Sequence, residues 1–193
     1  QTMPVEEYPS LPAMPESTGT VPSELFSHAV AQAVTAAGRD DMLSVLTGVR
    51  IEIDGSTISL LATDRFRLSQ RELTWDPRTP DETLAALVPA KVLADTAKSL
   101  TAGAEISIAL SASGAGDGLI GFEGAGPGGM RRTTTRLLDG EFPKVRSLFP
   151  SEHLTLATVD KASLVESVKH MALVAELNTA VQLAFSDGVL TLD

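Results

Sequence analysis

The sequence predicts an α+β fold in which one strand-helix-strands unit occurs twice, followed by a partial second copy of the same domain. Three observations predict it. Two segments, "VPSELFSHAVAQAVTAAG" and "PAKVLADTAKSL", carry apolar residues at helical spacing, and each is followed by strands that alternate apolar with polar residues. Asp, Gly and Pro clusters punctuate those strands. The pattern "VRIEIDGSTISL" also returns, about 135 residues later, as "VQLAFSDGVLTL".

The elements follow in chain order. Residues 1–18, "QTMPVEEYPSLPAMPEST", hold four prolines and neither period, which predicts an extended connector. The first helix has proline just inside its start, Gly38 at its end and Phe26, Val30, Ala33, Val34 and Ala37 on one stripe; Glu24, His28, Ala31 and Thr35 form the opposite face. Val49, Ile51 and Ile53 then alternate with Arg50, Glu52 and Asp54, an Asp54-Gly55 turn leads into a second strand, and "RFRLSQREL" supplies a third. After the turn-rich "WDPRTPDE", a short apolar strand runs into the second helix with Pro89 near its start. There Leu93, Ala97 and Leu100 form the apolar stripe, while Lys91, Asp95 and Lys98 share the reverse face. Strands follow at "AEISIALSAS", "GLIGFEG" and "RRTTTRLL", and one domain is expected from about Gly19 to Pro150.

Composition sets the bounds. The chain has 193 residues, 43% of them apolar, enough for a real core. No apolar run approaches the roughly 20 residues of a membrane span, and the first residues lack the regions of a signal peptide, so the expectation is a cytoplasmic protein. The absence of cysteine excludes disulfides and thiolate metal sites. A formal charge of −10 argues, taken alone, against a nucleic-acid partner, since phosphate affinity comes from clustered Lys and Arg; their distribution can reverse that. The start at Gln1 and the end at Asp193 after the strand-like "GVLTL" are read as the cut ends of a longer chain.

Enzymatic motifs find no support. The glycine run "SGAGDGLIGFEGAGPGG" lacks the following helix and Lys-Ser or Lys-Thr pair of a phosphate cradle, and reads as a hairpin loop. His28, His153 and His170 are scattered without metal-ligand spacing, no Gly-x-Ser-x-Gly elbow occurs, and the Asp40-Asp41 and Glu6-Glu7 pairs lie in loop-like stretches. No catalytic residue, metal ligand or cofactor is expected. Lys91 and Lys98, with Arg39 in the loop after the first helix, have two readings: a solvated face, or a cationic surface if the two helices lie side by side. The stretch "ATDRFRLSQRE" also has two: Phe66 and Leu68 in the core with Arg65 and Arg67 exposed, or all four at a binding surface.

"LTGVRIEIDG", "LLATDRFRLSQRE", "LVPAKVLADTAKSL" and "TTTRLLDGEFPKVRSLFP", in this order and at these separations, resemble the middle domain of the bacterial DNA polymerase III beta sliding clamp, most closely in its actinobacterial form. On this resemblance residues 1–18 are the end of a first clamp domain and its linker, 19–150 the complete middle domain, and 151–193 the truncated beginning of a third. It implies the DNA clamp fold, with two helices backing two antiparallel four-stranded sheets, in a head-to-tail homodimeric ring. Such a ring encircles double-stranded DNA without sequence specificity and serves as a processivity factor rather than an enzyme. Implied partners are the replicative polymerase alpha subunit, the clamp loader, translesion and repair polymerases, ligase and mismatch-repair proteins, all through short linear motifs. The implied DNA-facing residues are Arg39, Lys91 and Lys98, and the implied peptide pocket comprises Leu46, Thr63, Asp64, Arg65, Phe66, Arg67, Leu68, Pro143 and Leu148. The chain departs from some relatives at Ala90, where they carry a basic residue, at Ser44 and Val45, where they carry aromatic ones, and at Arg65 and Phe66. A rival reading is an adaptor that binds linear peptides without surrounding DNA; a hydrolase with a hidden Ser or Asp site would need turnover that an alanine change abolishes.

Overall fold

The computed structural model describes residues 4, 7, 13–111, 118–175 and 180–193. It divides into two compact units, residues 1–145 and 146–193. Most of the expected connector, and residues 113–117 of the glycine run, lie outside the described residues.

Each half of the first unit begins with a strand that ends in proline, and that proline caps a helix. Strand β1 (Gly19–Pro22) runs into α1 (Ser23–Ala33), and β6 (Thr83–Pro89) runs into α2 (Ala90–Ser99). Fixed φ and a missing N–H make proline compatible with both roles. Pro22 therefore stands just before α1 rather than inside it, and β1 is an element the helical pattern had concealed. After α1 come β2 (Gly48–Asp54), β3 (Thr57–Thr63), β4 (Leu68–Thr74) and the two-residue β5 (Asp76–Pro77); after α2 come β7 (Glu105–Leu110), β8 (Leu119–Gly126) and β9 (Gly129–Arg136).

These strands form two antiparallel sheets, one in the order β4-β3-β2-β6 and one in the order β5-β1-β7-β8-β9. The second sheet thus has five strands where four were expected. Its extra strand lies in the "WDPRTPDE" stretch, where Trp75 is buried and donates Nε1–H to the Gly55 carbonyl at 2.9 Å. Gly19 allows the approach: a Cβ there would stand 2.5 Å from the Trp75 ring and 2.4 Å from the Asp76 carbonyl oxygen.

Both helices lie on the inner faces of the sheets and pack against each other. Register sends the apolar residues inward together, with Ile51 opposite Leu60 and Ile53 opposite Ile58. With Phe26, Val30, Leu93, Leu100, Ile106, Ile108, Ile120 and Phe122 they make one core, in which the rings of Phe26 and Phe122 lie 5.7 Å apart. The Ser23 hydroxyl, buried at the start of α1, donates to the Gly103 carbonyl, so the helix entry meets the loop before β7 with its polar group satisfied.

The second unit holds α3 (Lys161–Val174) and a hairpin of β10 (Leu183–Ser186) and β11 (Val189–Leu192). Asp160 caps α3, accepting from the Ser163 N–H at 2.8 Å and the Ser163 hydroxyl at 2.6 Å. None of its described residues is buried, and Val159, Leu164, Leu183, Phe185 and Leu190 line a cavity of about 370 Å³. No helix in the described residues is long and apolar enough to cross a membrane.

Candidate functional site

Two surfaces of the first unit collect the residues singled out in the sequence, Leu148 excepted. One is the outward face of the β4-β3-β2-β6 sheet. Along β3 the residues from Ile58 to Thr63 are all buried, although only Ile58, Leu60 and Ala62 point to the core. Leu61 points outward and is covered. With Leu87 of β6 it forms a second apolar cluster, which Phe142 and Val145 complete and against which Val45, Leu68 and Leu138 pack. The segment after β9 is the cover: the Leu138 N–H donates to the Leu87 carbonyl at 2.8 Å, and Gly140, at φ 123°, lies so close to Val45 that a Cβ would approach its methyl group to 2.5 Å. Polar residues begin within the same face: Arg50 and Gln70 share a rung with Leu61 and Leu87, and on the next outward rung Glu52 pairs with Arg50 at 2.6 Å while Glu72 accepts from Ser59 and Gln70 at 3.3 and 2.9 Å.

The turn between β3 and β4 stands at the apolar end. Thr63 and Leu68 face each other as the last ladder pair. Between them, one Asp64 oxygen accepts the N–H groups of Phe66 and Arg67, each at 3.0 Å, and the other accepts Arg67 Nε at 2.9 Å. The Thr63 hydroxyl donates to the Arg67 carbonyl at 2.8 Å and accepts the Arg65 N–H at 3.2 Å. Partial desolvation raises the Asp64 carboxyl, but the Arg67 N–H and guanidinium, with the Phe66 N–H, outweigh it and hold the group below the ordinary aspartate value. An Asx turn of this kind calls for Asp or Asn at its first position, because only a short acceptor reaches both N–H groups; the carboxylate of Asp adds the bond to the Arg67 guanidinium.

Phe66 is not core: it is 91% exposed, with the Arg65 guanidinium 6.0 Å from its ring centroid. Leu68 is half-buried against the second cluster and Pro143 is exposed beside Phe142 in the chain. Leu46 is only 9% exposed, and its carbonyl accepts the Gly38 N–H at 2.7 Å, so it lies beneath the surface to which Val45 contributes. Leu148, exposed on a short turn from Arg146 to Leu148, belongs to the second unit. Leu61, Leu87, Leu138, Phe142 and Val145 were not singled out from the sequence. Their signal was the doublets Leu60-Leu61 and Leu87-Val88, which break strict alternation and mark strands covered on both faces.

The second surface is the outward side of the helix pair. Lys91, Asp95 and Lys98 of α2 and Glu24, His28 and Ala31 of α1 are exposed, as are Thr35 and Arg39 just beyond α1. Since α1 and α2 pack together with their apolar stripes buried, these polar sides share one side of the unit.

Residues 20–144 match the family described as DNA polymerase III beta subunit, central domain, and residues 146–193 match its C-terminal domain. The chain belongs to the DNA polymerase III beta subunit family. Among curated members it is 60% identical, over 192 residues, to the beta sliding clamp of Streptomyces coelicolor, covering 100% of this chain and 50% of the relative. To the beta sliding clamp of Micrococcus luteus it is 48% identical, covering 100% and 60%. The chain spans about half the length of the curated relatives it matches. Its fold matches the crystal structure of the DNA polymerase sliding clamp from Bacillus subtilis with a TM-score of 0.83 at 24% identity, covering 98% of this chain and 49% of that one. Two antiparallel sheets with helices on their inner faces make it an α+β clamp fold.

Proposed function

We propose that this chain works as part of a sliding clamp, a processivity factor without catalytic activity of its own. In this reading the helix pair faces duplex DNA, and the turn between β3 and β4 belongs to a docking site for linear peptides of polymerases, clamp loader and repair proteins. The observation that carries the reading is the separation of two surfaces on one domain: paired helices presenting Lys91 and Lys98, and a sheet face with an apolar end under Leu68. The names of the relatives support it. Sliding calls for contact with phosphate rather than base edges, since base-specific contacts would make the track uneven; exposed lysines on a helix side suit that demand. A peptide needs apolar surface for its anchors and polar groups that fix its direction, and the Thr63 to Leu68 turn has both. The proposed DNA-facing residues are Arg39, Lys91 and Lys98. The proposed peptide residues on the first unit are Leu46, Thr63, Asp64, Arg65, Phe66, Arg67, Leu68 and Pro143; Leu148, on the second unit, is a separate candidate.

The experiment has two arms. Leu68→Ala is expected to weaken binding of a polymerase-derived clamp-binding peptide about tenfold by fluorescence anisotropy, the worth of one apolar side chain at such a site. Lys91→Glu with Lys98→Glu, in the full-length ring, is expected to shorten residence on circular duplex DNA on the order of tenfold, with a weaker salt dependence than the parent. Unchanged peptide affinity rejects the docking site; unchanged residence across salt concentrations rejects the DNA face.

A further inference from the structure

Two adjacent arginines on β9, the outermost strand of its sheet, have opposite surroundings. Arg132 stands opposite Glu123 on the outward face and pairs with it. Arg131 stands opposite Gly124, where a side chain would meet Leu100 and Ile106 of the core, so Arg131 leaves the strand on the helix side. It is exposed there and forms no ion pair among the described residues. Its guanidinium reaches the Pro127 carbonyl at 3.5 Å, the outer limit of a hydrogen bond, and the hairpin tip from Pro127 to Gly129 brings no anionic side chain to it.

A glycine brings this arginine to the end of α2. A Cβ on Gly126 would stand 2.6 Å from the Ser99 carbonyl oxygen and 2.7 Å from Arg131 Cδ, so the last residue of α2 and the arginine stem meet over one bare backbone position. The Ala102 N–H, donating to the Ala125 carbonyl at 3.1 Å, ties the same hairpin to the loop after α2. The carbonyl end of a helix favours a cation, and α2 already carries Lys98 in its last turn.

The charge of the helix pair gives this placement its weight. With histidine counted as neutral, the formal charges of α1 and α2 cancel, Lys91 and Lys98 against Glu24 and Asp95. A surface that holds phosphate needs a surplus of cations, and the two helices alone do not supply one. Groups beyond them do. The Ser23 hydroxyl bond to the Gly103 carbonyl sets the start of α1 at the end of α2, so Arg39, past the far end of α1, and Arg131, beside the end of α2, stand at opposite ends of the pair.

We propose that Arg131 is a further phosphate-contacting residue of the DNA-facing side, and that it and Arg39 bracket the helix pair with the positive surplus the helices lack. Its ligand is a backbone phosphate of duplex DNA, taken by the free edge of the guanidinium without contact to a base. The inference rests on the DNA-facing reading above.

Residence on circular duplex DNA, measured over a range of salt concentrations in the full-length ring, tests it. Arg131→Gln is expected to shorten residence about threefold near 0.1 M salt and to lower the slope of log residence against log salt by about one, the share of a single phosphate contact. Arg131→Lys, which keeps the charge, is expected to retain most of both. Arg132→Gln, the same chemistry on the outward face, is expected to match the parent. If Arg131→Gln behaves as the parent does, or as Arg132→Gln does, while Lys91→Glu with Lys98→Glu still shortens residence, the role of Arg131 is overturned and the DNA face stands. Equal losses in Arg131→Lys and Arg131→Gln overturn it as well, because packing over Gly126 and not charge would then account for the effect. Parent-like residence in the double lysine variant overturns the DNA face and this inference with it.

Discussion

The hairpins at 48–63 and 183–192 share one sequence pattern and meet opposite fates. Ile51, Ile53, Ile58 and Leu60 are at most 2% exposed, whereas Leu183, Phe185 and Val189 are 48%, 57% and 58% exposed. Alternation and a turn with Gly are present in both, as is a preceding helix, so local pattern is not what closes a core. In the first unit the second half-unit supplies α2 and a facing sheet, and the apolar faces of both halves cover each other. Among its described residues the second unit has, besides the short turn from Arg146 to Leu148, α3 and one hairpin, and these leave most of their apolar area in water. Pattern makes an apolar face, and a second layer makes it an interior.

The largest test of that contrast is a pair of truncations. Phe122→Ala, removing a fully buried ring packed on Phe26, is expected to cost about 4 kcal/mol in urea unfolding followed by Trp75 fluorescence. Phe185→Ala is expected to cost less than about 1 kcal/mol by far-ultraviolet circular dichroism, because its ring is already largely hydrated. Equal losses would mean that the second hairpin's apolar face is covered in solution. A smaller effect is expected from Gly19→Ala, about 2 kcal/mol, since the added methyl collides with the Trp75 ring and the Asp76 backbone. The chain has a single tryptophan, so its emission should shift only when the first unit is disturbed.

The smallest effect is a dependence on pH that both units share. Asp64 is held below the ordinary aspartate value because its N–H and guanidinium bonds outweigh desolvation, and Asp160 is held low by the Ser163 hydroxyl and N–H. A carboxyl depressed in the folded state contributes stability that is present above its unfolded value, about 4, and disappears as pH falls through the folded value. Acid titration below about pH 4 should therefore loosen each unit separately. Asp64→Asn is expected to flatten the Trp75 profile in that window and Asp160→Asn the helicity profile. A parent-like slope in either variant removes that carboxylate from the account.

Much of the first unit was legible because its signals are local. The α2 stripe of Leu93, Ala97 and Leu100 is buried and Lys91, Asp95 and Lys98 are exposed, as helical spacing predicts. The misreadings share one cause. β1 hid within the run leading to α1, and Asp76–Pro77 hid within a turn-rich stretch, because both are short and gain their ladder bonds only from strands distant in sequence. The floor of the candidate site was missed for the same reason, as Leu61 and Leu87 meet Phe142 and Val145 only after the chain after β9 folds back over the sheet.

Helical spacing and strand alternation were fixed by the sequence alone, because each depends on residues a few positions apart whose geometry the backbone dictates; the strand expected from Arg65 begins only at Leu68, because Asp64 draws Phe66 and Arg67 into a turn. Whether an apolar face becomes core or stays in water was decided by the tertiary structure, as was Phe66 standing outside while Leu61 is sealed beneath a returning segment. Burial depends on what arrives from far along the chain, and no local period encodes that.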